Sequence, residues 1–196
     1  MEIRGERIGE VVATATASFT TQCYRLHQAP PLGTLVCAGQ PLVYGVVVSV
    51  TSGPLDPGRV VVARGADAHD EEVLFQENPH WERLLTTHFE SRVVGYQEGD
   101  ALRPGLPPLP PRLHAFVYSV RPAVVQTFLQ DLSFLHLLLA PGTVEADEAL
   151  AAFLRASAAI SPEGREAFLR RAGYALAIEL SRDAPRLHAI LRRLAL

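Results

Sequence analysis

The stretch PLVYGVVVSVTSGPLDPGRVVVARG, residues 41–65, decides the fold that the sequence predicts for the first half of the chain. Residues 42–51 are apolar on both faces, which is typical of a central or barrel-lining strand. Glycines and prolines in segment 53–59 predict a turn, and the valines that follow predict a second strand. We therefore expect a strand, a turn and a strand, with Arg59 in the turn and Arg64 at the end of the second strand.

The turn also contains the candidate binding residues. Asp56 can cap its own turn and Arg59 can pair with it, which favours a structural role for this loop. Arg59 and Arg64 are also the arginines best suited to hold an acidic partner surface, because a guanidinium binds a carboxylate bidentately. We predict that Asp56, Arg59 and Arg64 bind a partner if the arginines face outward.

Short strands flank this stretch on both sides. Residues 11–23 alternate with period two, which predicts a strand or strand pair with one buried face. Further short strands are predicted at residues 34–38, 92–96 and 115–120, with Gly and Pro between several of them. Strands of this length and spacing predict a small β-barrel.

A helical segment and a proline-rich segment interrupt the strands. Residues 70–72 supply acids for a helix start, and Asn78-Pro79 supplies a second one. One face of the predicted helix consists of Trp81, Leu84, Leu85, His88 and Phe89. Residues 103–112, RPGLPPLPPR, predict an extended polyproline linker that joins neither sheet nor helix, in preference to a recognition peptide.

Everything after residue 121 is predicted to be helical. The four helix starts are marked by Pro122, Thr143, Ser161 and Asp183. The first helix is expected to continue without a break to residue 140. Four helices with short connections predict a compact bundle. We therefore predict an α+β protein with two domains, a β-barrel at residues 1–120 and a helical bundle at residues 121–196.

Composition excludes several chemistries. All eighteen basic residues are arginine, so neither a phosphate-binding loop with its lysine nor a Schiff base can form. The seven histidines are scattered without metal-ligand spacing. A Cys23/His27 dyad would require a sharp turn of the strand, and Cys23 and Cys37 are better explained as buried thiols. We predict no catalytic residue, no metal and no cofactor, hence no enzyme.

Localisation and nucleic-acid binding can also be predicted from the sequence. No apolar run approaches the ~20 residues that span a bilayer, and the first ten residues are charged where a secretory signal would be apolar. We therefore expect a cytoplasmic protein without a membrane span. The net charge of -3 argues against general nucleic-acid binding.

The ordered series of motifs resembles the stand-alone HAS-barrel proteins of bacteria. The motifs are ERIGEVVATATASFTTQCY, PPLGTLV, YGVVVSVTSGPLDPGR, ARG, HFE, VVGY and LPPLPPRLHAFVY. The family is named after the barrel that the HerA translocase shares with the ATP synthase. The resemblance is stronger over residues 7–139 than in the C-terminal helices.

This resemblance implies a module for protein assembly or docking. In larger members the barrel precedes an ATPase motor and either holds a ring together or docks a partner. We therefore expect a protein partner such as a ring ATPase or DNA translocase, with self-assembly as a further expectation. The alternative is a nucleic-acid-associated accessory factor that uses the pairs Arg170-Arg171 and Arg192-Arg193, although a solvated surface is favoured for these pairs.

Overall fold

The computed structural model describes residues 3–67, 69–140 and 142–194. In this part of the chain the strands are β1 (Arg4–Thr14), β2 (Ser18–Cys23), β3 (Leu35–Ala38), β4 (Val43–Pro54), β5 (Leu85–Glu98), β6 (Ala101–Pro104) and β7 (Phe116–Val120). The helices are α1 (Glu71–Glu77), α2 (Trp81–Leu84), α3 (Pro122–Phe128), α4 (Leu135–Leu139), α5 (Val144–Ile160), α6 (Arg165–Glu179) and α7 (Ala184–Leu194). The protein is therefore of mixed α+β class, as the sequence predicts.

The strands form an antiparallel sheet in the order β2-β1-β7-β3-β4-β5-β6. β5 pairs with β4 along one edge. Its other edge pairs with β2 over residues 88–92 and with β6 over residues 95–98. The longest strand of the sheet is thus hydrogen-bonded along both edges, and half of its residues are buried.

The sheet buries side chains on both of its faces. In β3, Val36 and Ala38 belong to one apolar cluster, whereas Leu35 and Cys37 belong to another, because successive side chains point to opposite faces. The first cluster, called the inner cluster here, consists of Val11, Phe19, Cys23, Val36, Ala38, Val43, Val47, Phe89, Val93 and Val117. Strands that are apolar on both faces are therefore covered on both faces.

The helices cover the second face of the sheet. Leu35, Tyr44 and Val94 of the strands share one buried cluster with residues of α3 to α7. Aromatic rings run through this cluster from the sheet into the helices, from Tyr44 to Phe128, Phe134 and Phe153, with successive centroids 5.8, 4.7 and 5.8 Å apart. The core thus crosses the predicted domain boundary at residue 120.

Several local predictions are confirmed. The predicted strands at 34–38, 42–51 and 115–120 are β3, β4 and β7, and residues 11–23 lie in the antiparallel pair β1 and β2. The helix starts predicted at Asp70, Thr143 and Asp183 are confirmed, and their side chains accept hydrogen bonds from backbone N–H groups of α1, α5 and α7. The start predicted at Asn78-Pro79 is wrong, because Asn78 ends α1 and His80 directly precedes α2.

The predicted return strand after Arg59 is wrong. Residues 59–65 belong to no strand or helix. β4 continues into the start of the predicted turn and ends at Pro54. Its residues 52–54 pair with residues 85–87 of β5. The edge that a return strand would need is therefore taken by a strand from thirty residues further along the chain.

The predicted helix from Trp81 to Phe89 is also wrong in most of its length. α2 ends at Leu84, and His88 and Phe89 lie in β5, which includes the strand predicted at residues 92–96. Thr87, Phe89, Ser91 and Val93 are all buried at alternate positions. Pairing with both β2 and β4 therefore overrides a helical pattern that was only two turns long.

Three other boundaries differ from the predictions. Arg103 and Pro104 belong to β6 and pair with β5, so the proline-rich segment does join the sheet at its start. The helix predicted from Pro122 to residue 140 is broken into α3 and α4, where Asp131 accepts a hydrogen bond from the backbone of Ser133. α6 begins at Arg165, after a turn that starts at Ser161.

Candidate docking surface

The loop after β4 is organised by Asp56. Its Oδ1 accepts a hydrogen bond from the Gly58 N–H at 2.9 Å, and its carbonyl accepts one from the Arg59 N–H at 3.0 Å. The Arg59 Nε lies 4.0 Å from Asp56 Oδ2, with both side chains well exposed. The turn role predicted for Asp56 is therefore confirmed, and an exposed pair of this length contributes little stability.

The segment after this loop exposes three consecutive valines. Val60, Val61 and Val62 have exposed fractions of 85%, 60% and 66%. Arg59 precedes them, and Arg64, also exposed, follows them. Between residues 60 and 64, no backbone hydrogen bond to another described residue is made. An apolar segment with basic ends is thus presented to solvent, and we call residues 59–64 the RVVVAR segment.

The sequence contained a signal for this surface, although it was assigned to a different structure. Three adjacent valines after the turn predict a second strand of the sheet. The structure places both predicted arginines outside the sheet instead. The partner-binding role of Asp56, Arg59 and Arg64 stays a prediction.

A second polar surface lies on β1 and its neighbours, and its residues come together only through strand pairing. The Arg7 guanidinium carbon is 4.8 Å from the Phe116 ring centroid and 5.3 Å from the Tyr24 ring centroid. Arg7 lies in β1, Phe116 in β7, and Tyr24 directly after β2. Sequence reasoning missed this contact because its members are up to 109 positions apart.

Glu10 connects the neighbouring groups of this surface. Its carboxylate accepts a hydrogen bond from the Tyr24 hydroxyl at 2.9 Å and lies 3.1 Å from the His114 Nδ1. These hydrogen bonds, that of His114 first, lower the pKa of Glu10. Burial and then the Glu10 hydrogen bond raise the pKa of Tyr24. Both oxygens of Glu10 therefore already have partners.

The ionisable groups considered for catalysis have structural explanations. Asp70 caps α1. Among the described residues, no three His, Cys, Asp or Glu side chains are grouped so as to hold a metal ion. Burial raises the pKa of Cys23 to about 11 and that of Cys37 to about 12. Thiols with such pKa values are protonated, and therefore weak nucleophiles, near neutral pH.

We expect both cysteines to react slowly with a thiol reagent in the native protein. The pKa rises by about two units at Cys23 and by about three at Cys37. Thiolate is the reacting form, and even at Cys23 its fraction at pH 8 falls by roughly 100-fold. The rate of reaction with DTNB in buffer should therefore be about 100-fold below the rate in urea. Rapid native reaction of either cysteine would contradict the burial of both thiols.

The paired arginines of the helices are mostly engaged within the protein. Arg171 binds Glu163 and also donates to the Leu129 carbonyl. Arg193 pairs with Glu148. Arg170 lies 3.6 Å from Glu166. These acidic partners reduce the positive charge available to a nucleic-acid backbone.

The fold and this surface define an α+β protein with an antiparallel sheet, a helical layer and an exposed basic and apolar segment. No protein-family model matches the sequence, and no curated protein does either. None of the helices in the described ranges is both long and apolar enough to cross a membrane.

Proposed function

We propose that this chain is a non-enzymatic docking module that binds a protein partner through Asp56 and the RVVVAR segment. The observation that supports the proposal most directly is the exposure of Val60, Val61 and Val62 between two arginines. Covering apolar side chains that are exposed to water lowers the free energy of the complex, so such side chains favour binding of a partner. β-branched residues also have the highest propensity to extend a sheet.

The mode of binding that fits this segment is addition to the edge strand of a partner. Residues 60–64 belong to no strand or helix, their backbone groups make no hydrogen bond to other described backbone groups, and main-chain hydrogen bonds supply affinity in such complexes. In a strand, Arg59 and Val61 would face one side, and Val62 and Arg64 the other. The partner strand should therefore have a carboxylate near each end, on opposite faces.

Charge argues that this partner is a different protein from the chain itself. If two copies paired antiparallel about the centre of the segment, Arg59 of one copy would lie opposite Arg64 of the other, at both ends. Like charges directly opposite each other destabilise a strand pair. Arginines at strand ends also protect an exposed apolar segment from self-association. An acidic heterologous strand satisfies both arginines.

The barrel belongs to the same proposal. Pairing of β2 with β5 supports a sheet that closes on itself as a HAS-type barrel, because these strands stand far apart in the sheet order. Phe19 and Phe89 fill the inner cluster, which favours binding on the outside of the barrel. The family resemblance then favours a ring-shaped, ATP-driven motor such as a DNA translocase as the partner.

Affinity purification of the tagged protein from its own host, with nuclease treatment, tests the proposal. The recovered partner is then purified and its dissociation constant measured. We expect Arg59→Ala/Arg64→Ala and Val60→Ser/Val62→Ser to weaken binding about tenfold or more, because they remove the charged ends and the apolar centre of the segment.

The matched control is Arg182→Ala/Arg192→Ala, which removes two exposed arginines of the helical layer. This variant should bind the partner like the unaltered protein. Equal losses in all three variants would refute the assignment of the site. Recovery of material that disappears on nuclease treatment would favour the nucleic-acid accessory role instead.

A further inference from the structure

Arg7 is held in a way that prepares it for an anion. Phe116 and Tyr24 cover its guanidinium, with ring centroids 4.8 and 5.3 Å from the central carbon. A guanidinium stacked on aromatic rings keeps its N–H donors free at its edge, in the plane where a carboxylate or phosphate binds bidentately. Within the described part of the chain, the Arg7 guanidinium contacts these two rings and makes no side-chain hydrogen bond or ion pair.

The Glu10 carboxylate does not bind the Arg7 guanidinium. Glu10 lies three positions after Arg7, but its two oxygens are occupied by Tyr24 and His114. The charge of Arg7 lowers the pKa of Glu10 only as the smallest of several causes. Glu10 therefore lies within the electrostatic influence of Arg7 but does not pair with it.

The same arginine borders a hollow large enough for a small molecule. Its volume is about 640 Å³, within the range typical of ligand sites. Its polar lining includes Arg25, Gln28, Thr34 and Ser119 besides Arg7. Glu6 also lines the hollow, so the lining contains two arginines and one carboxylate. The lining therefore offers a positive charge and several neutral hydrogen-bonding groups.

We propose that this hollow binds a small ligand through a carboxylate or phosphate group, with Arg7 as the bidentate anchor. Tyr24, one of the two rings in contact with Arg7, also lines the hollow and is half-exposed, so it offers a ring face to a planar part of the ligand. The hollow is lined by β1, by the segment between β2 and β3, and by Ser119 of β7, and it includes no residue of the RVVVAR segment. The site is therefore independent of the proposed docking surface.

Binding of benzoate, phenyl phosphate and neutral benzamide to the purified full chain tests this site. Isothermal titration should give a dissociation constant below about 10 mM for at least one of the two anions and no binding of benzamide. Binding of benzoate alone would identify a carboxylate ligand, and binding of phenyl phosphate alone a phosphate ligand. Failure of both anions to bind would overturn the proposal.

Arg7→Lys is the informative variant, because it keeps the charge and removes the planar fork. It should weaken anion binding tenfold or more. Arg4→Lys is the matched control, since Arg4 makes a similar contact, 4.9 Å from the Tyr118 ring centroid, but does not line this hollow. An equal effect of both variants would overturn the assignment of Arg7.

A second readout does not require a variant that folds. The side-chain Nε–H resonance of Arg7 should shift during titration of the unaltered protein with the bound anion. The Arg4 resonance should stay in place. A shift of Arg4 without a shift of Arg7 would place the anion elsewhere and refute the proposal.

Discussion

Replacement of Asp147 by alanine is expected to lower the free energy of unfolding by about 3–5 kcal/mol, because it leaves a largely buried arginine without its hydrogen-bonded carboxylate. The Arg186 Nε lies 3.1 Å from each carboxylate oxygen of Asp147, and Nη2 lies 2.7 Å from Oδ1. Only 19% of the Arg186 side chain and 11% of the Asp147 side chain are exposed. Denaturation in urea measures the loss.

This ion pair joins three helices. Asp147 lies in α5, Arg186 lies in α7, and Arg186 also donates to the carbonyl of Leu139 at the end of α4, at 2.8 Å. The hydrogen bond to Asp147 is the main cause that raises the pKa of Arg186. Loss of Asp147 therefore removes the connection between these helices as well as the neutralising charge.

A matched control separates burial from charge. Glu98 and Arg103 form an ion pair of similar length, 3.1 Å, but their side chains are more than half exposed. Glu98→Ala should therefore cost less than about 1 kcal/mol. Replacement of both buried partners by apolar residues, Asp147→Leu/Arg186→Met, should cost much less than Asp147→Ala alone. Equal losses for Asp147→Ala and Glu98→Ala would contradict a buried ion pair.

Replacement of Gly33 by alanine is expected to destabilise the protein by about 2–5 kcal/mol. Gly33 has φ of +83°, where an alanine costs about 1–2 kcal/mol. A Cβ atom at this position would lie 2.4 Å from the backbone nitrogen of Phe153 in α5, and such overpacking costs about 1–3 kcal/mol. The absence of a side chain at Gly33 thus permits the close approach of α5 to the sheet.

Two further glycines separate the two contributions. Gly99 has φ of +58° but no described atom within 4 Å of its Cβ position, so Gly99→Ala tests the backbone strain alone. Gly53 has no positive φ and no described atom within 4 Å of its Cβ position, so it should tolerate alanine. Thermal unfolding of the three variants should rank Gly33→Ala as the least stable. Equal stability of Gly33→Ala and Gly99→Ala would contradict the close contact between Gly33 and the backbone of α5.

The candidate site was only partly predictable from the sequence. Asp56 and Arg59 are three residues apart, so their turn could be predicted from residue types alone. The exposure of Val60, Val61 and Val62 could not, because an apolar run predicts burial wherever a partner strand exists within the chain. The stacking of Arg7 on Phe116 depends on pairing between the first and last strands of the sheet region.

The sequence by itself determined those features that depend on a few neighbouring residues. Period-two alternation over residues 11–23 predicted the pair β1 and β2, and Asp70, Thr143 and Asp183 marked helix starts, where their side chains accept hydrogen bonds from backbone N–H groups. Tertiary structure alone decided which strand pairs with β4, and hence that residues 85–91 extend while residues 60–64 remain unpaired. The physical reason is competition for strand edges, because each residue of an edge can pair with only one partner strand. Which segment pairs there depends on the burial gained across the whole sheet rather than on the local sequence pattern.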